Sequence, residues 1–223
     1  MGFIMLVQIY EISSPEEARA LADLGVDHIG VLVGDGAFPR EQAIKDAKTI
    51  IRAIPPSSKA SALSLSADLT LIENIVTELE PSILHLGAST ELLMPRHVDQ
   101  LKRRFDYLTV MRSIPVVDHA SVRVAKSYDG IADILLLDSH MPGDSQIGAL
   151  GATHSWELDR QIVESVRVPV IIAGGLGPDN VVDAIKVVRP AGVDSKTKTD
   201  KSDGSHTKDL GRVARFVALA KSF

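Results

Sequence analysis

Eight times along a chain of 223 residues, a short run rich in Val, Ile and Leu is followed by a stretch in which apolar side chains recur at helical spacing. Runs of this kind, apolar on both faces, suit the buried strands of a parallel sheet, and the intervening helices supply the crossovers that parallel strands need. An open flavodoxin-like sheet would use only about five of the strands. Eight units in a chain of this length instead fit a single α/β domain, residues 1–223, folded as a closed (β/α)8 barrel of the TIM type.

The units are readable one by one. Strand one is expected over Met5–Ile12, followed by a helix capped by Ser14, opened by Pro15 and stopped by Gly25. The second unit pairs Asp27–Val33 with a helix from about Arg40 to Ile54, closed by Pro55 and Pro56, since proline cannot continue a helix. Units three to five pair Lys59–Leu65 with Thr70–Leu79, Ser82–Leu86 with Val98–Arg104, and Tyr107–Arg112 with Ser121–Ser127. Strand six, Ala132–Asp138, is apolar until its last residue, and its helix runs over Trp156–Val166. Strand seven is Val168–Ala173, with a helix starting near Asp179; strand eight is Ala191–Asp194, with the last helix over Lys208–Phe223.

Cysteine is absent, which removes disulfides, thiolate metal sites and a cysteine nucleophile together. The formal charge of −5 argues against a broad nucleic-acid surface. No apolar run approaches the roughly 18–20 residues of a membrane span, and the apolar start has no basic region before it, so the expected location is cytoplasmic.

Barrels of this class carry their chemistry on the loops that follow the strands. The strongest signal is Ala173-Gly174-Gly175-Leu176-Gly177-Pro178-Asp179-Asn180, in which strand seven enters a helix through glycines. Glycines let backbone N–H groups approach an anion, and a helix start favours phosphate. Gly174 and Gly175 are therefore expected to bind phosphate. Backbone donors at Gly151 and Ala152 and the hydroxyl of Thr153 can add to the cradle, and Lys196 and Thr197, in the lysine- and hydroxyl-rich segment after strand eight, read either as an anion clamp or as part of a solvated loop.

Asp138 shares a strand face with Ile134 and Leu136, so if that face points inward its carboxyl stands at the barrel mouth, suited either to proton transfer or to orienting a loop. Gln8, Arg112 and Asp194, at or near strand ends, are candidates for contacts to substrate. His85, Asp138, His140 and His154 could gather around a metal, but no ligand spacing ties them together, and no metal or cofactor is expected. His28, His119 and His206 read as surface or loop residues.

Several segments in order, Gln8-Ile9-Tyr10-Glu11-Ile12-Ser13, Leu-Leu-Leu-Asp-Ser around Asp138, Gly151-Ala152-Thr153, Ala173 to Val181, Gly192-Val193-Asp194 and Thr207-Lys208-Asp209, resemble phosphoribosylanthranilate isomerase. The resemblance covers essentially the whole chain. It implies an Amadori rearrangement in tryptophan biosynthesis, in which an aminoaldose phosphate opens and becomes the aminoketose without a metal or cofactor. It implies that Asp138 is the general acid for ring opening, and that Gly174, Gly175 and the Gly151–Thr153 segment hold the phosphate.

The departures from that family lie at the other end of the site. Tyr10 stands where the family has its general-base cysteine, and Glu11 follows where the family has glycine. His85 replaces the glutamine of strand four, Lys196-Thr197-Lys198 replaces Ser-Ser-Gly, and the family's carboxylate-binding arginine has no counterpart fixed by spacing, Arg40 being expected at a helix start. A phenol with a pKa near 10 is a weak base, and on a regular strand Glu11 would point away from Tyr10. The resulting expectation is a cofactor-free isomerase of a small phosphorylated sugar, monomeric or homodimeric, with Asp138 as acid and Tyr10, Glu11 or His85 as or beside the base. The alternatives are an epimerase or aldolase on the same barrel, or a non-catalytic phosphate-binding paralogue.

Overall fold

A computed structural model describes residues 5–139 and 155–223. Eight parallel strands close on themselves in sequence order, each hydrogen-bonded to the next and the eighth to the first. The strands are β1 (Leu6–Tyr10), β2 (His28–Leu32), β3 (Lys59–Ser64), β4 (Ile83–Leu86), β5 (Thr109–Val116), β6 (Ile134–Ser139), β7 (Val170–Ile172) and β8 (Gly192–Ser195). The helices around them are α1 (Pro15–Asp23), α2 (Ile44–Ala53), α3 (Leu69–Leu79), α4 (Pro95–Arg104), α5 (Ala120–Tyr128), α6 (Trp156–Ser165), α7 (Val181–Val188) and α8 (Leu210–Ala220). The expected eight-unit barrel is the observed one.

Local chemistry sets several of the ends. Ser14 accepts a hydrogen bond from the Glu17 amide at the start of α1, while Glu17 accepts one in return from the Ser13 amide, so two otherwise orphaned donors are satisfied. Helix α2 begins four residues later than expected, because Arg40 adopts a left-handed φ of 67° and belongs to the preceding loop. Strand β5 runs on past Arg112 to Val116, through Pro115. β4 ends at Leu86, opposite Arg112, so beyond that point β5 has β6 alone as a neighbour, and a proline costs no ladder bond on the open side.

Two sets of apolar side chains fill the molecule. The larger lies between barrel and helices and includes Val7, Ile9, Ile29, Val31, Leu135 and Leu137. The smaller, Ile83, Met111, Ile134, Leu136, Ile171 and Ala173, fills the barrel interior on the β4–β7 side. On the opposite side the interior is polar. Gln8 donates to Asp194 Oδ1 at 3.1 Å and pairs with His28 Nδ1 at 3.2 Å, and all three residues are buried. His28 is thus an interior residue and not the surface histidine expected from sequence; burial, reinforced by the charge of Lys59, holds its pKa down to about 4.

Candidate active site

Above this polar floor, at the C-terminal ends of the strands, lies a cavity of about 280 Å3. Its wall is built by strand parity. Inward-facing positions two residues apart bring Tyr10 up from Gln8, His85 from Ile83, Ser113 from Met111, and Asp138 from Leu136, and all four line the cavity.

Tyr10 lies against Gly30, its register partner on β2, so closely that a Cβ at that position would overlap the phenol ring. Its hydroxyl is 2.6 Å from Ser61 Oγ and 2.8 Å from His85 Nδ1. The other His85 nitrogen is 2.7 Å from Ser113 Oγ. The result is a buried hydrogen-bonded array across β1, β3, β4 and β5. Burial drives the Tyr10 pKa well above the usual phenol value, with the charge of Asp194 adding to the rise and the Ser61 bond opposing it. Burial, aided by Arg112, lowers that of His85 to about 3. At neutral pH both groups are uncharged, and each is engaged by its neighbours.

Glu11 is not turned away from the cavity as a regular strand would have it. It follows β1 with φ 57°, a left-handed turn that swings its side chain into the mouth, where it lines the cavity beside Tyr10. There its carboxylate receives Arg40 Nε at 2.6 Å and Lys196 Nζ at 2.7 Å. Burial would raise its pKa, but these two cations outweigh that and lower it. Arg40 reaches the cavity from the β2–α2 loop; its Nε and Nη2 donate to Glu11, and its Nη1 donates to none of the described residues. This arginine is in the loop and not at the helix start expected for it; the turn that brings it to the mouth leaves no periodic trace in the sequence.

Asp138 lines the cavity and its Oδ1 accepts a hydrogen bond from the Ser139 amide at 2.7 Å. Asp194 lies across the floor at the end of β8. Its Oδ1 receives Gln8, no hydrogen bond among the described residues reaches its Oδ2, and the residue lines the cavity. Burial pushes the Asp194 pKa up to about 7; the charge of Asp138 adds to this, and the Gln8 bond and the Lys208 and Lys196 cations oppose it.

The glycine loop forms the remaining wall. Gly174 and Gly175 have φ of 82° and 64°, conformations natural to glycine, and both line the cavity with Leu176, Thr197 and Lys198. The amides of Gly174, Gly175 and Leu176 donate no hydrogen bond among the described residues. The loop is held from behind: Asn180 Oδ1 accepts from the Gly177 amide at 2.8 Å, Asn180 Nδ2 donates to Gly175 O at 3.1 Å, and Ser195 Oγ donates to Leu176 O at 2.7 Å. A Cβ on Gly177 would stand 2.6 Å from Lys198 Cβ, so this glycine lets the β8 loop close over the cradle. Lys196 lines the same wall, although its ammonium is committed to Glu11.

Two expected substrate contacts are displaced. Arg112 is fully buried and faces away from the cavity, since the inward residues of β5 are Met111 and Ser113. Its guanidinium donates to Leu86 O at 2.6 Å and Ala88 O at 2.7 Å and stacks on Tyr128, tying down the loop after β4. Gln8 is also fully buried, one layer below the cavity, and acts on it only through Asp194. Gly151, Ala152, Thr153, His140 and His154 lie outside the described residues. Among the described residues no group of three or more His, Asp or Glu is placed to hold a metal ion. Ser61 and Ser113, not singled out from sequence, were detectable as hydroxyls at inward positions of otherwise apolar strands.

The family profile described as N-(5'phosphoribosyl)anthranilate (PRA) isomerase matches residues 9–218. The chain is 32% identical over 213 residues to N-(5'-phosphoribosyl)anthranilate isomerase of Methanocella arvoryzae, covering 95% of each chain. It is 31% identical over 217 residues to the protein of that name from Haloferax volcanii, covering 97% of this chain and 93% of the relative. Among solved structures, the isomerase of Pyrococcus furiosus superposes with a TM-score of 0.79 at 25% identity, covering 98% of this chain and 100% of the other.

Proposed function

Because the chain belongs to the phosphoribosylanthranilate isomerase family, we propose that it opens an N-linked phosphoribosyl arylamine and rearranges it to the 1-amino-1-deoxyketose, with N-(5'-phosphoribosyl)anthranilate as substrate. The observation that carries this reading is the placement of a carboxyl, Asp138 at the end of β6, and the amides of Gly174–Leu176 after the neighbouring β7, which donate no hydrogen bond among the described residues, on adjoining walls of one cavity. The amides take the phosphate oxygens, with Thr197 and Lys198 beside them. Arg40, held by Glu11 through Nε, keeps Nη1 for the carboxylate of the aromatic amine.

Asp138 delivers a proton to the ring oxygen as the C1–O bond breaks, and the amine nitrogen's lone pair forms the protonated imine. Removal of the C2 proton then gives an enaminol, and its ketonisation adds a proton at C1 while the C2 hydroxyl loses one. A cytoplasmic location and a monomeric or homodimeric state belong to the same proposal.

The test is turnover of N-(5'-phosphoribosyl)anthranilate by the purified protein and by Asp138→Asn. The reading expects turnover that falls by about 10²–10⁴-fold in the variant, the usual worth of a positioned acid. No turnover by the wild type, or an unaffected variant, would refute it.

A further inference from the structure

Resting on the isomerase reading above, we infer that Asp194 is the group that takes the proton from C2 and returns it to C1. The position at the end of β1, where the family's base would act, holds a phenol that cannot serve: Tyr10 is protonated and its hydroxyl lies between Ser61 Oγ and His85 Nδ1. His85 has both ring nitrogens engaged, by Tyr10 and by Ser113. Glu11 is neutralised by Arg40 and Lys196. Asp138 enters the sequence as the acid. Among the described residues one cavity-lining carboxyl remains, Asp194, and it has the geometry the step requires: Oδ1 is fixed by Gln8, and no hydrogen bond reaches Oδ2.

The surroundings of Asp194 tune it for reversible proton transfer. The inward residues of the neighbouring β7 segment, Ile171 and Ala173, are apolar; the charge of Asp138 reaches it from β6, Gln8 and Tyr10 come from β1, and the cations Lys196 and Lys208 act on it from the segment after β8. His28 touches it only through Gln8 and stays neutral. Burial and the Asp138 charge outweigh the Gln8 bond and the two lysines, which brings its pKa to about 7, where a group both accepts and releases a proton readily.

The proton count closes. After ring opening Asp138 and Asp194 are both carboxylates and the substrate is a protonated imine. Asp194 Oδ2 takes the C2 proton, the C2–H pair becomes the C1=C2 bond, and the C1=N pair returns to nitrogen. Asp194 then gives its proton to C1 as the C2 hydroxyl releases its own to Asp138. The ketose leaves with both carboxyls restored to their starting states.

The experiment compares wild type, Asp194→Asn and Tyr10→Phe for turnover of N-(5'-phosphoribosyl)anthranilate, and for binding of the reduced, unreactive analogue of the ketose product. The inference expects Asp194→Asn to lose about 10²–10⁴-fold in kcat while binding the analogue within a few-fold of wild type. It expects a bell-shaped wild-type kcat/KM profile, because the reactive form has Asp194 ionised while Asp138 holds the proton, and Tyr10→Phe to remain active. Asp194→Asn with more than a tenth of wild-type kcat, or losing analogue binding in parallel with rate, would overturn this assignment and leave the isomerase reading standing. An inactive wild type would overturn both.

Discussion

Replacing Asp194 by Asn should stabilise the protein, and by an amount that grows with pH. The native carboxyl is buried with its charge disfavoured, and its pKa rises from 3.8 to about 7 on folding. A group whose folded pKa is raised binds its proton more tightly in the native state. Its contribution is therefore favourable at low pH and is lost as pH rises from the unfolded value through the folded one. At roughly 1.4 kcal/mol per pH unit the full loss is about 4 kcal/mol above pH 7, against ~1.5 kcal/mol at pH 5. Asn keeps the side-chain oxygen that accepts from Gln8 and carries no charge, so it escapes this penalty. Urea denaturation of the two proteins at pH 5 and pH 8 reads the difference directly. The gain of the variant should be larger at pH 8 by an amount on the order of 2–3 kcal/mol. A gain that does not change with pH, or a variant less stable at both values, would refute an uncharged-preferring Asp194 and the proton-transfer role built on it.

Three further substitutions test other parts of the structure. Gly30→Ala should cost about 2–3 kcal/mol by driving a methyl group into the Tyr10 ring, and Tyr10→Ala in the same chain should recover part of that loss, read as a coupling in a urea double-mutant cycle. Arg112→Leu should destabilise by roughly 2–5 kcal/mol, because it leaves the Leu86 and Ala88 carbonyls buried without donors, whereas a substrate-contacting arginine would instead raise KM at unchanged stability. Gly175→Val forces a β-branched residue to φ 64° in the phosphate cradle and should raise KM at least tenfold in steady-state assays, with kcat less affected.

Most of the fold was legible because every strand is a short apolar run and every helix carries its own spacing, signals that survive without tertiary context. Parity within a strand correctly put Asp138 on one face with Leu136. Periodicity misled in three places for physical reasons. In β5 both faces are buried, one in the barrel and one under the helices, so alternation could not say which of Arg112 and Ser113 looks inward. At Glu11 the chain leaves the strand with a left-handed residue, which breaks the alternation. At Arg40 a loop turn, not a periodic element, sets the side chain's direction. His28 and Gln8 were misplaced because a buried polar pair inside a barrel is recognised only when its partner is known, and Asp194, the third member, comes from a strand more than 160 residues away in sequence.

The central claim is that this barrel isomerises its substrate with Asp138 and Asp194 and without a base at the end of β1. It is tested most directly by following the conversion of N-(5'-phosphoribosyl)anthranilate by wild type and Tyr10→Phe side by side. The account predicts turnover by both, with kcat values within about tenfold of each other, since the loss of one hydroxyl removes no proton carrier. Turnover by neither, or by the wild type alone with the phenylalanine variant reduced by a hundredfold or more, would contradict it.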